Sequence, residues 1–432
     1  MADKKCYASL KRGVEYWNKW REKNLNVKLD LTGANLSNEQ LIGINLTDVD
    51  LSGANLVKAH LSTANLNGAN LSYANLTGAN LTGASLIGAN LTGAILVGTN
   101  HRSAELIGSN ANLADFSESD LRVVDFTAAE LAGANFYLAN LKNANFTGAK
   151  LTRANLGLTN LSDADLNNAD LTTANLIRAN LQDANLTDAD LSEADLTKAN
   201  LQNANLTGAD LLETNLSQAN LKLVNLTGSN LTDADLLEAD LTKANLTQAN
   251  LSRADMSNAN LSNANLYQAN LLESRAWAVN FQGCTLTGAC LEKLVANAQT
   301  RFDGVICDYI YLKYEGAKRL PRDSQQYFKP GEFKLIANQL LGSVDLIINE
   351  AMNWSVLLNA FYKLQKRFHT SAIQLLAVEI LADNRFLINL TIPPELKADE
   401  VTEYFQQKYQ LTLLAKQQLA IQTGNTAQVI NS

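Results

Sequence analysis

A five-residue unit, Ala-(Asn/Asp)-Leu-(Ser/Thr)-X, holds one register from Leu31 to Leu291 and limits this chain's folding more than any other feature. With the Leu as the centre of each unit, 53 centres fall five residues apart, and all but nine are Leu. The nine are His101, Ala111, Phe116, Phe126, Phe136, Phe146, Met256, Ala276 and Phe281. A period of five matches neither the helical 3.6 nor the strand 2.0. It suits a chain that makes a short extended side, turns a corner, and repeats. The centre and the small residue two before it then point inward, and the other three positions face water. Glycine at the corner, as at Gly33 and Gly78, admits the positive φ that tight corners demand.

The phenylalanines set the number of sides. Phe116, Phe126, Phe136 and Phe146 alternate with Leu121, Leu131 and Leu141. Four sides, or 20 residues per coil, stack Phe on Phe and Leu on Leu, whereas three sides would set Phe on Leu. At about 4.8 Å per coil, the centres make about 13 coils and a rod of about 60 Å. Composition agrees: 46% of residues are hydrophobic, largely Leu and Ala, but only 6% are aromatic, so a narrow regular core can be filled and an aromatic-rich one cannot. Four prolines exclude a Pro-rich or collagen-like chain.

The Ala-(Asn/Asp)-Leu-X-X repeat over residues 31–291 resembles the pentapeptide-repeat family. The resemblance implies a right-handed quadrilateral β-helix, and it alone supplies the handedness. The expected fold is therefore an all-β solenoid with an N-terminal helical cap and a C-terminal α+β domain. Asn18-Lys19-Trp20-Arg21, Cys307-Asp308-Tyr309-Ile310-Tyr311-Leu312 and the residues beyond 313 resemble cyanobacterial family members that carry such an extension.

Four segments follow. Residues 1–30 form the cap: 7–24 read as one amphipathic helix with Leu10, Val14, Trp17 and Trp20 on one face, plugging an open β-edge. The alternative is a basic arm built on Lys11, Arg12, Lys19, Arg21 and Lys23. Residues 31–312 form the solenoid, with a bulge expected near 100–113, where Ala111-Asn112-Leu113 offers a competing register. A second irregularity at 292–301 delays the pattern by one residue, so that it resumes as Phe302, Cys307 and Leu312 with Val305 and Ile310 inward. Residues 313–421 read as α+β: a helix from Pro330 to about Asn349 with Leu335, Ile336, Leu340, Leu341 and Val344 inward, a helix 353–367, strands 371–381 and 385–392 joined at Ala382-Asp383-Asn384, and a helix 397–420. Residues 422–432 read as a disordered tail.

Chemistry is sparse. His60 should face water and His101 holds a centre, with no thiol or carboxylate at ligand spacing, so no metal is expected. Cys284 and Cys290 read as packing in slots usually held by small residues. Neither GxGxxG nor GxxxxGK[ST] occurs, so no cofactor and no enzymatic activity are expected. The cysteine spacing, the lack of an 18-residue apolar run and the lack of a secretory start favour a reducing, cytoplasmic setting without a transmembrane segment.

What remains is surface. Two columns, counted at 20 residues per coil, and one cluster are candidates for binding another protein: the outward apolar cluster Tyr137, Leu138 and Leu158 on neighbouring coils; cationic Arg102, Arg122 and Lys142; and acidic Asp170, Asp190 and Asp210 above Glu130 and Lys150. The expected function is a non-catalytic interaction scaffold or regulatory adaptor. The alternative comes from relatives that mimic DNA and bind gyrase. Residues 31–291 carry 25 acidic and 12 basic residues, a net −13. Over about 60 Å this is roughly −0.2 per Å, against roughly −0.6 for duplex DNA. Nucleic acid is therefore an unfavoured partner, and end caps favour a monomer. A third option, a surface-lattice binder such as an ice-binding rod, rests on the flat column Thr187, Thr207, Thr227 and Thr247.

Overall fold

The computed structural model describes residues 3–24, 27–297, 299–314, 318–329, 331–333, 337, 343–348, 353–370, 372–380, 386–393, 396 and 398–422. From Asp30 onward each residue preceding a centre makes a parallel bridge to the residue 20 positions later: Asp30 with Asp50, Asn35 with Asn55, and so on to Asn270 with Cys290. Four quintets thus make one turn, as the phenylalanine spacing predicts. Phe116 stacks on Phe136 with ring centroids 5.0 Å apart and Phe126 on Phe146 at 5.1 Å, while Phe116 and Phe126 meet edge-on at 5.7 Å. The centres from Leu31 to Leu291 are buried, together with most of the small residues two before them.

Each quintet closes with a four-residue turn, as where Ala34 N donates to Leu31 O at 2.9 Å, and joins the next coil through Leu31 N to Asp50 O at 2.7 Å. The second corner residue has positive φ in every quintet from Gly33 to Lys293, with or without glycine. β-branched Thr63, Val123 and Thr173 hold 55°, 59° and 56°. Positive φ marks the corners as expected, and it is not confined to glycine: the ladder on both sides imposes the conformation on whatever residue is present.

The polar letters of the repeat have structural work. The Asn or Asp before each centre accepts, through Oδ1, the amide of the residue after it, as from Thr32 to Asp30 at 2.8 Å. Where that residue is Thr, its hydroxyl often donates to the same oxygen, as Thr77 to Asn75 at 2.7 Å. Asn Nδ2 groups donate to the Oδ1 of the preceding coil, as Asn155 to Asn135 at 2.9 Å and Asn175 to Asn155 at 3.1 Å. Corner and ladder are pinned by one side chain.

The N-terminal residues form two helices rather than one, α1 (Lys4–Leu10) and α2 (Val14–Lys23), because Gly13 at φ +100° breaks the run. Their side chains supply bonds that a preceding coil would have made. Tyr7 Oη donates to Asn35 O at 2.9 Å, Trp17 Nε1 to Asn45 O at 2.7 Å and Arg21 Nη2 to Thr47 O at 2.5 Å. Asn18 Oδ1 accepts from Asn45 N at 2.8 Å. Leu10 and Trp17 are buried on the solenoid core, with Val14 and Trp20 packed against it.

The expected bulge near 100–113 does not occur. The bridges Asn80–Asn100, Asn90–Asn110, Asn100–Asp120 and Asn110–Glu130 pass straight through. Ala111 stays inward and Leu113 takes an exposed corner at φ 59°. A two-residue slip to centre Leu113 would break bonds to both neighbouring coils, such as Ala111 N to Glu130 O and Asn110 N to Ala89 O, which outweighs one weak centre. The later irregularity is present: β1 (Arg275–Ala276) pairs in parallel with β2 (Val295–Ala296), but Asn280–Arg301, Thr285–Ile306 and Cys290–Tyr311 are 21 apart. Phe302, Cys307 and Ile310 are buried after that inserted residue.

Beyond the last coil, β3 (Ile310–Tyr311) pairs antiparallel with β4 (Arg319–Leu320), and Phe328, Phe333 and Ala337 join the solenoid core. A separate core follows. Strands β5 (Ser343–Ile348), β6 (Gln374–Ile380) and β7 (Phe386–Thr391) form an antiparallel sheet in the order β5-β7-β6. Helices α3 (Trp354–Arg367) and α4 (Ala398–Gln422) pack with it. The helix expected to run from 330 to 349 is therefore wrong at its C-terminal end. Leu346 and Ile348 are buried at a spacing of two, the strand period, in a β-branched segment. Leu335, Ile336, Leu340, Leu341, the turn 382–384 and the tail from 423 lie outside the described residues, as does the side chain of Val344.

Candidate interaction surface

Residues 20 apart stack, so each corner is a column of side chains and each side a strip between two columns. Tyr137 (40% exposed), Leu138 (49%) and Leu158 (39%) lie on one corner, as the column count predicts. The ring of Tyr137 leans over Gly157, its Cδ2 3.5 Å from where a Cβ on that glycine would stand. The same corner continues to exposed Ile177, and the adjoining side carries exposed Ile95, with Tyr73 and Leu113 on its other corner. These four were missed. Counting outward apolar residues modulo 20, instead of inspecting neighbouring units, would have found them.

The charged columns are less available than their sequence suggests. Arg122 donates to both oxygens of Asp120 at 2.8 and 2.6 Å, and this guanidinium holds the Asp120 carboxyl below its ordinary value. Lys142 pairs with Asp163 at 3.2 Å and Lys150 with Glu130 at 2.7 Å. Asp170 accepts from Thr172 N at 3.0 Å and Thr152 Oγ1 at 2.9 Å. Burial opposes its ionisation, but these hydrogen bonds outweigh burial and keep the carboxyl below its usual range. Asp190 accepts from Ser192 N at 2.9 Å, and Asp210 from Leu212 N at 3.1 Å and Asn230 Nδ2 at 2.9 Å. Arg102 is exposed and lies in the field of Asp120.

The threonine column is also occupied. Thr187, Thr207, Thr227 and Thr247 donate to Asn185, Asn205, Asn225 and Asn245 at 2.6–2.7 Å. They also accept from Asn205, Asn225, Asn245 and Asn265 at 2.8–2.9 Å. Hydroxyls locked into such a network are poor templates for an ordered water lattice. In the N-terminal basic set, Arg21 is buried, Lys11 pairs with Glu39 and Lys19 with Glu15.

His60 is exposed and His101 fully buried. His101 Nδ1 lies 3.0 Å from Thr99 Oγ1, which also meets Leu96 O and Ser119 Oγ, and its Nε2 has no partner. Burial pushes its pKa down to about 3, so the ring is neutral. The four cysteines are free and buried, and burial raises the thiols of Cys284 and Cys307 to about 12. Cys284 fills an inward small-residue slot, but Cys290 sits in the bridging column normally held by Asn. Among the described residues no cluster of three or more His, Cys, Asp or Glu could hold a metal ion. Among them, too, no helix is long and apolar enough to cross a membrane.

Helix α3 presents a second apolar feature that the sequence reading did not single out. Val356, Leu357, Ala360 and Leu364 are buried, while Trp354, Leu358 and Tyr362, four residues apart, are exposed along the helix.

The family model described as Pentapeptide repeats matches in eight copies, over residues 44–83, 84–122, 124–157, 154–192, 184–222, 219–258 and 259–293. None of the curated proteins matches the chain. Among solved structures, one similar chain is HetL, a pentapeptide repeat protein involved in heterocyst differentiation regulation from the cyanobacterium Nostoc sp. strain PCC 7120. It is 29% identical over 52% of this chain and 92% of its own, with a TM-score of 0.35. QnrB1, a plasmid-mediated fluoroquinolone resistance protein, is 20% identical over 43% and 93%, with a TM-score of 0.34. Rfr23, from the cyanobacterium Cyanothece 51142, is 38% identical over 26% and 60%, with a TM-score of 0.14.

Proposed function

The chain belongs to the pentapeptide-repeat family, whose fold is a right-handed β-helix solenoid, and from that premise we propose that it is a non-catalytic protein–protein interaction scaffold or regulatory adaptor. The observation that carries this reading is the exposure of Tyr137, Leu138 and Leu158 on one corner of a rod whose recurring polar groups are held by its own lattice. Covering the exposed part of each of these half-buried side chains contributes about 0.6–1.5 kcal/mol, so three adjacent ones can anchor a partner. The recurring Asn, Asp and Thr groups offer little chemistry, because so many of them hold corners and ladders.

In this reading α1 and α2 cap the first coil, and Phe328 and Phe333 cover the last. The α+β domain adds its own surface through α3. In this reading the protein works in the cytoplasm, a reducing setting that its buried free thiols suit.

The test is co-purification from the native extract with Tyr137→Ser, Leu138→Ser and Leu158→Ser combined. Loss of a bound protein with an unchanged far-UV spectrum supports the reading. Retention of every bound protein removes the carrying observation.

A further inference from the structure

Four consecutive coils of the Tyr137 corner carry, in one column, Glu118, Leu138, Leu158 and Arg178, each exposed. The order is acid, apolar, apolar, base. Turned end for end, this column meets its own complement. Two copies laid antiparallel about a two-fold axis between Leu138 and Leu158 set Glu118 of one against Arg178 of the other, twice. They also set Leu138 against Leu158, twice. In the adjacent column the same axis sets Tyr137 opposite Gly157 of the second copy, which that copy's own Tyr137 ring already covers, so the two rings meet across the axis. Three coils separate the charges, roughly 14 Å.

We infer that this corner binds the same corner of a second copy of the chain, giving an antiparallel, side-by-side dimer. Self-complementarity is what a two-fold interface requires, because the same patch serves both partners. A foreign partner would require no such symmetry. Charge argues the same way. The rod is net −13 over residues 31–291 and repels its own copies, yet these four coils of the column are neutral. Among the described residues no ion pair within the chain involves Glu118 or Arg178. The same axis sets Lys58 opposite Glu238 further along the column and puts no like charges opposite each other there. A monomer is expected from the sequence because both ends are covered. Covered ends forbid end-to-end growth but leave the flank free.

The inference rests on the reading of this rod as an interaction surface and names the partner at its apolar corner. The test is sedimentation equilibrium of the purified full-length chain between about 1 and about 200 µM. The expected species is twice 46.9 kDa. Glu118→Arg or Arg178→Glu alone should weaken the dimer at least tenfold, and the two together should restore it. Both positions are exposed corners, so an unchanged far-UV spectrum verifies the fold. A monomer throughout the range, single reversals without effect, or a double reversal that fails to restore the dimer overturns the inference. If the wild type stays monomeric while the triple serine variant loses a bound protein, this inference fails and the scaffold reading stands.

Discussion

The solenoid and the C-terminal α+β domain solve the same problem in opposite ways. In the solenoid a residue's environment follows from its place in the quintet and from the residues 20 before and after it. Leu186 meets Leu166 and Leu206, and nothing distant in sequence is needed. In the domain, Leu346, Leu364, Ile388 and Phe405 come from four separate elements and are buried together only once all four have assembled. The difference teaches where cooperativity should lie: stability is shared out along the rod and held in common by the domain.

Truncating one buried leucine in each region tests this most severely. Leu186→Ala and Leu364→Ala remove equally buried side chains, and each should cost about 2–5 kcal/mol. Hydrogen exchange should distinguish them. Leu186→Ala should lower protection mainly in the coils adjoining residue 186, and Leu364→Ala across the whole domain while the rod is unchanged. Uniform loss along the rod would erase the distinction.

A smaller effect comes from His101, the buried ring that the lattice tolerates. Its folded pKa of about 3 lies below the unfolded value near 6.5, so its neutral form is the one that fits. The associated stability is therefore complete above about pH 6.5. It falls as pH drops toward 3, by up to about 1.4 kcal/mol per pH unit. His101→Leu should flatten that portion of the rod's stability curve, measured by urea unfolding at pH 7, 6, 5 and 4, and leave the domain's unfolding unchanged. Equal slopes in both proteins would refute the assignment.

The smallest effect sharpens the comparison at the corners. Val123 is β-branched and held at φ 59° by the ladder. Val123→Gly should stabilise the rod by about 0.5–1 kcal/mol, since relief of left-handed strain exceeds the glycine's added unfolded freedom. A lower urea midpoint would mean that Val123 packs better than its exposure suggests.

The candidate site was partly legible beforehand. Tyr137, Leu138 and Leu158 emerge from the repeat count, because register alone decides which side chains point outward. Lys142 and Asp163 occupy neighbouring columns one coil apart, and their pairing depends on side-chain reach that no count supplies. The stripe on α3 was invisible for a related reason: which of two apolar faces is buried depends on where the sheet lies.

The amino-acid order settled the coil of 20, the inward leucines and the aromatic stacks, because a strict period makes every contact a local consequence of register. It failed near Ala111, where a locally plausible slip was overruled by bonds to the coils on either side. It failed again at Ser343–Ile348, where an apolar segment took the strand form because β7 was there to pair with it. Only the assembled molecule decided those two cases, since in both the decisive hydrogen bonds come from residues outside the segment itself.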